Sequence, residues 1–270
     1  MSPKLLHIDI FSGIGGFAYA IDQVWPDVEH IFCEKDPFCQ QVIKKHWKGS
    51  KNYDDIRGFI ADSNHWRPKE QKKQTTGDKQ CNRPFILTGG FPCQPFSCAG
   101  KRKGTSDDRY LWPEMFRVIQ FTKPRWVIAE NVRGILTIEG GLVFEQVCLD
   151  LENEGYEVQP FIVPAVAVNA PHRRDRVWII AYSAGKGLER EGRNQSPYSE
   201  CARFDRNTEW DKNWIEIAAE FCGMDDGISA KLDGFELTKS RHRTERLKSL
   251  GNAIVPQVAI EIFKAIKYVP

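Results

Sequence analysis

The feature that most constrains this chain is an alternation of short, β-rich apolar runs with stretches of helical spacing. Runs at Leu5–Ile10, His30–Cys33, Phe85–Thr88, Trp126–Ala129, Val158–Val163 and Val177–Tyr182 have strand length and are bounded by glycine, proline or charged residues. Several are almost continuously apolar, as strands covered on both faces must be. Between them, Gly16–Val24, Pro37–Trp47, Pro113–Thr122 and Leu142–Glu154 carry helical spacing, and after Pro256 the residues Ala259, Ile262, Phe263 and Ile266 mark one helix face. This βαβα order predicts an α/β fold with a doubly wound, mostly parallel sheet. The last helix is expected to pack back on the first domain. In such sheets ligands bind at the carboxyl ends of the strands, so the turns that follow them are where chemistry is sought.

Two segments break the pattern. Residues 61–83 are polar and hold six basic and three acidic residues, which reads as a solvated insertion. Residues 184–246 lack long apolar runs and hold 11 Lys+Arg against 13 Asp+Glu, which reads as a small irregular second domain. The expected division is therefore 1–183 plus 247–270 as one α/β domain and 184–246 as the other. Of the 270 residues 38 are Lys or Arg and 36 Asp or Glu, so charge as a sum excludes tail-driven binding to a polyanion but not a locally basic cleft. No apolar run approaches the ~20 residues that span a bilayer, and the Met-Ser-Pro-Lys start lacks a signal-peptide pattern. Eight cysteines without a Cys-x-x-Cys pair argue against a zinc site and for a reducing compartment. A cytoplasmic, metal-free protein without membrane attachment is expected.

The first strand runs into Asp9-Ile10-Phe11-Ser12-Gly13-Ile14-Gly15-Gly16, a glycine turn that lets a ligand approach the backbone. The spacing is not that of dinucleotide-binding turns. Glu34 at the end of the second strand suits the hydroxyls of a ribose, and with the turn it favours an adenosine-type cofactor. After the strand at 85–88 comes Gly90-Phe91-Pro92-Cys93-Gln94-Pro95, a cysteine held between prolines where a thiolate can reach a substrate. The turn after Ala129 offers Glu130, a candidate general acid if burial raises its pKa. Residues 171–176 form a cationic run, in which Arg173 reads as a solvated surface residue.

Taken in order, Phe11-Ser12-Gly13-Ile14-Gly15-Gly16, Pro92-Cys93-Gln94, Glu130-Asn131-Val132, Arg174-x-Arg176 and Gly251-Asn252 resemble the DNA (cytosine-5) methyltransferase family. The resemblance spans residues 7–183 and 247–269. It implies a Rossmann-like methyltransferase fold, S-adenosylmethionine as cofactor, double-stranded DNA as partner, and a monomer without metal. Cys93 would be the nucleophile that adds to C6 of a flipped-out cytosine. Glu130 would meet N3 and the exocyclic amine, Arg174 the O2 side of the ring, and Arg176 would buttress the site or a phosphate. Phe11 would stack on adenine, and Gly13, Ile14 and Gly15 would line the amino-acid part. Glu34 would take the ribose and Asp55 and Ile56 the adenine, with Pro92, Leu111 and Asn252 completing the pocket. Gln94, Ser97, Lys101, Arg102, Lys103 and Arg109 would contact DNA from a closing loop, and 184–246 would be the target-recognition region. His172 departs from the family pattern, which has Gln there. An RNA cytosine-5 methyltransferase and a non-catalytic DNA-binding module that keeps the fold are the competing readings.

Overall fold

The computed structural model describes residues 5–62, 85–92, 110–183, 245 and 248–267. Cys93, Gln94, Ser97, Lys101, Arg102, Lys103 and Arg109 lie outside the described residues, as do 63–83 of the polar insertion and 184–244 and 246 of the expected recognition region. No described helix is long and apolar enough to cross a membrane.

In chain order the elements are β1 (Leu5–Ile10), α1 (Gly16–Asp22), β2 (Val28–Cys33), α2 (Pro37–His46), β3 (Lys51–Tyr53), α3 (Ile56–Asp62), β4 (Phe85–Gly89), α4 (Trp112–Thr122), β5 (Trp126–Val132), α5 (Leu142–Asn153), β6 (Tyr156–Pro164), β7 (Asp175–Ser183) and α6 (Pro256–Lys267). The strands form one seven-stranded sheet in the order β3-β2-β1-β4-β5-β7-β6. Strands β3 to β5 in that order are mutually parallel, and β7 runs antiparallel between β5 and β6. The doubly wound, mostly parallel sheet expected from the sequence is the one observed.

Both faces of the sheet are covered, which explains the near-continuous apolar runs. One face buries Ile8, Ile10, Leu87, Val127 and Ile179 against Phe59 of α3, Trp112 and Met115 of α4, and Val147 and Leu151 of α5. The other buries Leu5, Ile86, Ile128 and Trp178 against Phe17 and Ile21 of α1 and Val258, Phe263 and Ile266 of α6. The last helix thus packs on the sheet beside α1. Burying each such large side chain fully contributes roughly 1.5–3 kcal/mol.

Three differences from the sequence reading bear on the site. Strand β3 and helix α3 are additional: Lys51 and Asn52 give β3 no apolar signature, because it is a three-residue edge strand. Strand β5 extends past Ala129 to Val132, so Glu130 and Asn131 lie in the strand and not in a turn. Strand β7 begins at Asp175, which puts Arg176 in the ladder opposite Val132. The cause is common to both: the antiparallel pair β5–β7 keeps its hydrogen bonds beyond the point where the parallel neighbour β4 stops at Gly89.

Candidate active site

The turn after β1 is built on backbone that side chains rarely adopt. Phe11, Gly13 and Gly15 all have positive φ, at 56°, 55° and 86°. Ser12 fixes its start by donating its hydroxyl to the Asp9 carbonyl at 2.6 Å. Glu34 fixes its crest: one carboxylate oxygen accepts the Gly13 N–H at 2.6 Å and the other the Asp36 N–H at 2.7 Å. Burial pushes the Glu34 pKa up, and hydrogen bonds from the Asp36, Gly13 and Lys35 backbone oppose the rise. A Cβ on Gly13 would meet nothing within 4 Å, so the space over the crest is open to a ligand. On Gly15 a Cβ would lie 2.5 Å from the Trp47 ring, so this glycine is required by packing as well as by φ.

The C-terminal segment reaches this turn from the other side. Lys248 donates to Asp36, the N-cap of α2, at 2.8 Å, which holds that carboxylate below its usual range once its other hydrogen bonds are added. Leu250 and Ala253 pack on Ile14, Phe38, Cys39 and Val42. The Ile14 side chain is therefore in the core, and its backbone alone remains to line a pocket. Asp55 accepts the Arg57 N–H at 2.7 Å at the start of α3, Ile56 is buried, Leu111 caps α4, and Asn252 is exposed.

The second cluster lies past the end of β4, along the last residues of β5 and at the start of the antiparallel β7. The chain leaves β4 through Gly90, Phe91 and Pro92, whose next residue in sequence is Cys93. Asn131 pins this exit by donating its amide to the Phe91 carbonyl at 3.0 Å. Glu130 is buried beside it, with Arg176 Nε 2.8 Å from one oxygen. A Cβ on Gly90 would stand 3.3 Å from the other oxygen, so the strand exit and the carboxyl are in close approach. Burial pushes the Glu130 pKa up to about 7, against the pull of Arg176 and Arg174.

Arg176 is thus turned inward onto Glu130. Arg174, at φ 35°, donates to the carbonyls of Gly251 at 2.8 Å and Ala253 at 2.6 Å, while its buried Nε has no partner. Arg173 is exposed and shares Asp175 with Arg133, in keeping with the surface role read from the sequence. Of the residues singled out from the sequence, the structure brings Glu130, Arg174, Arg176 and Asn252's neighbours together. It sets Phe11, Gly13 and Glu34 in the first cluster, two strands away along the same carboxyl edge, where Ile10, Gly89 and Ala129 lie in register.

Sequence reasoning missed a buried polar line under the glycine turn, formed by His7, Asp9, His30 and Thr88. The available signal was two-residue spacing: His7 and Asp9 share one face of β1 in an otherwise apolar strand. Among the described residues no group of three or more His, Cys, Asp or Glu could hold a metal ion.

A covered seven-stranded α/β sheet with an antiparallel β7, a glycine turn after β1 and a buried carboxyl near the end of β5 defines a Rossmann-like enzyme fold. The chain belongs to the C-5 cytosine-specific DNA methylase family, whose model matches residues 5–213. It is 32% identical over 183 residues to the Type II methyltransferase M1.ScrFI of Lactococcus lactis subsp. cremoris, covering 67% of this chain and 42% of that protein. It is 29% identical to the Type II methyltransferase M.NlaX of Neisseria lactamica, covering 65% of this chain and 51% of that one. The chain spans about half or less of the length of these curated relatives. Among solved structures, DNMT2 of Spodoptera frugiperda has the same fold at 18% identity and a TM-score of 0.52, covering 71% of this chain and 54% of that one. The Dnmt2 methyltransferase of S. pombe does so at 23% identity and 0.50, covering 68% and 52%.

Proposed function

We propose that this chain is a DNA (cytosine-5) methyltransferase that modifies a cytosine flipped out of duplex DNA through a covalent bond from Cys93 to C6. Family membership supports this, and so does one observation above the others. Glu130 is a buried carboxyl with a pKa near 7, held by Arg176 beside the exit that leads into Cys93.

The reaction asks for that combination. Cytosine C5 is a poor nucleophile until a thiolate adds at C6 and pushes electron density through the ring. Negative charge then develops toward N3, where a carboxyl that keeps its proton near neutral pH can give it up. An ordinary carboxyl at about 4.3 would already be ionised there. Once C5 carries the methyl group, loss of the C5 proton expels Cys93 and restores the ring. Arg174 is the residue assigned to O2 of the ring, and Arg176 to the position of Glu130.

S-adenosylmethionine, when bound, supplies the methyl group. The residues present fit it: Gly13 and Gly15 open the turn, the space over Gly13 is free, and the Glu34 carboxylate can accept from ribose hydroxyls. Phe11, Ile14 through its backbone, Asp55, Ile56, Pro92, Leu111 and Asn252 are assigned to the same pocket. Residues 184–246 are assigned to target recognition, and 1–183 with 247–270 to catalysis. DNA contact is assigned to Gln94, Ser97, Lys101, Arg102, Lys103 and Arg109, and the protein acts as a cytoplasmic monomer.

The test is labelled methyl incorporation into duplex DNA and into tRNA by the parent and by Cys93→Ser. The reading requires incorporation into DNA that Cys93→Ser abolishes while cofactor binding persists. Incorporation into tRNA alone, or unchanged transfer by the variant, overturns it.

A further inference from the structure

The face of the sheet under α1 and α6 is apolar at its centre apart from one buried line on β1, β2 and β4. His7 and His30 are register partners on β1 and β2, Asp9 and Thr88 are register partners on β1 and β4, and all four are buried. Asp9 Oδ1 meets Thr88 Oγ1 at 2.7 Å, and Thr88 Oγ1 meets His7 Nε2 at 2.8 Å. The two histidines meet through their Nδ1 atoms at 2.8 Å, and His30 Nε2 meets Asp22 Oδ1 at 2.9 Å. Trp47 Nε1 then donates to Asp22 Oδ2 at 2.8 Å. The Trp47 ring is the group that a Cβ on Gly15 would strike. The line therefore leaves the chain two residues before Phe11 and returns to it at Gly15, so that both ends bear on the glycine turn.

Counting protons shows how the line is filled. Indole N–H only donates, so Asp22 accepts at Oδ2, and each neutral imidazole has one donor and one acceptor. With Asp22 ionised, the fillings that satisfy every contact run between two extremes. In one, His30 carries two protons and donates to His7 and Asp22, His7 donates to Thr88, and Thr88 donates to an ionised Asp9. In the other, a protonated Asp9 donates to Thr88, Thr88 to His7, His7 through Nδ1 to His30, and a neutral His30 to Asp22. The two hold the same number of protons, each moved across its own hydrogen bond. Burial favours the uncharged extreme, because it raises Asp9 and depresses His7. In both, one proton lies between the two Nδ1 atoms. A second would set N–H against N–H and break the line in its middle.

We propose that Trp47, Asp22, His30 and His7 are positioning residues for the cofactor turn, a brace that holds Phe11–Gly15 from both ends and opens in acid. This rests on reading that turn as the S-adenosylmethionine pocket. The charged and titratable groups that face the line are Asp9 itself, Glu34, whose charge acts on Asp9, Asp22 at the far end, and His46 against the Trp47 ring. Burial, and then the charge of His30, hold the His7 pKa well below the ordinary histidine value of about 6.5, so the brace stays closed through that range and opens only in stronger acid.

The experiment is calorimetric titration of the full chain with S-adenosylmethionine from about pH 8 down to about pH 4, through and below the ordinary histidine range, with Trp47→Phe and His7→Asn alongside. Trp47→Phe keeps an aromatic ring near Gly15 and loses the N–H. It should bind several-fold to about tenfold more weakly, as the loss of one hydrogen bond to a carboxylate implies, with the change in turnover falling on KM for the cofactor and not on kcat. The parent should bind evenly through the ordinary histidine range and lose affinity only in acid well below it, and His7→Asn should lack that acid fall. Unchanged binding by Trp47→Phe overturns the brace, as does an acid fall in His7→Asn equal to the parent's. If His7→Asn does not fold, the Trp47 arm decides alone, since that residue lies at the solvent-facing end. A parent chain that binds no S-adenosylmethionine overturns the pocket reading and the brace together, whereas binding indifferent to Trp47 overturns the brace only.

Discussion

The turn after β1 is held by backbone N–H groups converging on one carboxylate, Glu34, whereas the cluster at the end of β5 is held by guanidinium groups around another, Glu130. Both carboxyls are raised by burial, and what opposes the rise differs. Three backbone donors act on Glu34, which suits a group that stays an acceptor for hydroxyls. Glu130 meets one arginine directly and a second at longer range, and its pKa rests at about 7, where a proton can be given and regained. On the proposed function, the same residue type serves binding at one strand end and proton transfer two strands away along the same edge.

Substitution should separate the two. Glu130→Gln is expected to lower methyl transfer about 10²- to 10⁴-fold and leave cofactor affinity untouched, as labelled-methyl assays and calorimetry would read. Glu34→Ala should do the reverse, weakening cofactor binding about ten- to a hundredfold as charge-assisted bonds to Gly13 and Asp36 are lost, while transfer at saturating cofactor changes far less. Equal effects of both variants on both readouts would erase the contrast.

Gly15→Ala sharpens the comparison on the binding side. Its Cβ would meet the Trp47 ring at a φ of 86°, so a loss of about 1–3 kcal/mol in unfolding free energy is expected. Gly13→Ala, with open space around it, should cost only the backbone strain, about 1–2 kcal/mol. Chemical denaturation of the pair checks the order.

The smallest effect concerns pH. Glu130 keeps its proton to about pH 7 in the folded chain, against about 4.3 for a free carboxyl. Its contribution to stability is therefore complete below the free value and lost as pH rises through 7. Glu130→Gln should flatten that part of the Tm–pH curve. Arg176 lowers the Glu130 pKa, so Arg176→Met should carry the alkaline fall of methyl transfer to higher pH.

Much of this was legible in the sequence because it follows from strand-length apolar runs and the residues that end them. The boundaries that failed did so for tertiary reasons. Nothing local in Glu130-Asn131-Val132 says that an antiparallel neighbour will extend the strand through it, and Lys51-Asn52-Tyr53 becomes a strand only by pairing with β2. Motif residues gave the clusters but not their wiring: that Arg176 turns onto Glu130, and that Arg174 holds the carbonyls on either side of Asn252, depend on contacts between distant segments. The line through His7 and His30 was hidden because each histidine looks like a flaw in an apolar strand until the register sets them side by side.

The central claim is the covalent bond from Cys93 to a cytosine in DNA. The direct measurement uses duplex DNA in which 5-fluorocytosine replaces cytosine, incubated with the chain and S-adenosylmethionine and followed by denaturing electrophoresis and peptide mass spectrometry. Fluorine at C5 cannot leave as the proton does, so the account predicts a denaturant-resistant adduct mapped to Cys93 and absent in Cys93→Ser. Methylation of ordinary duplex DNA without any trapped adduct, or an adduct on another residue, would contradict it.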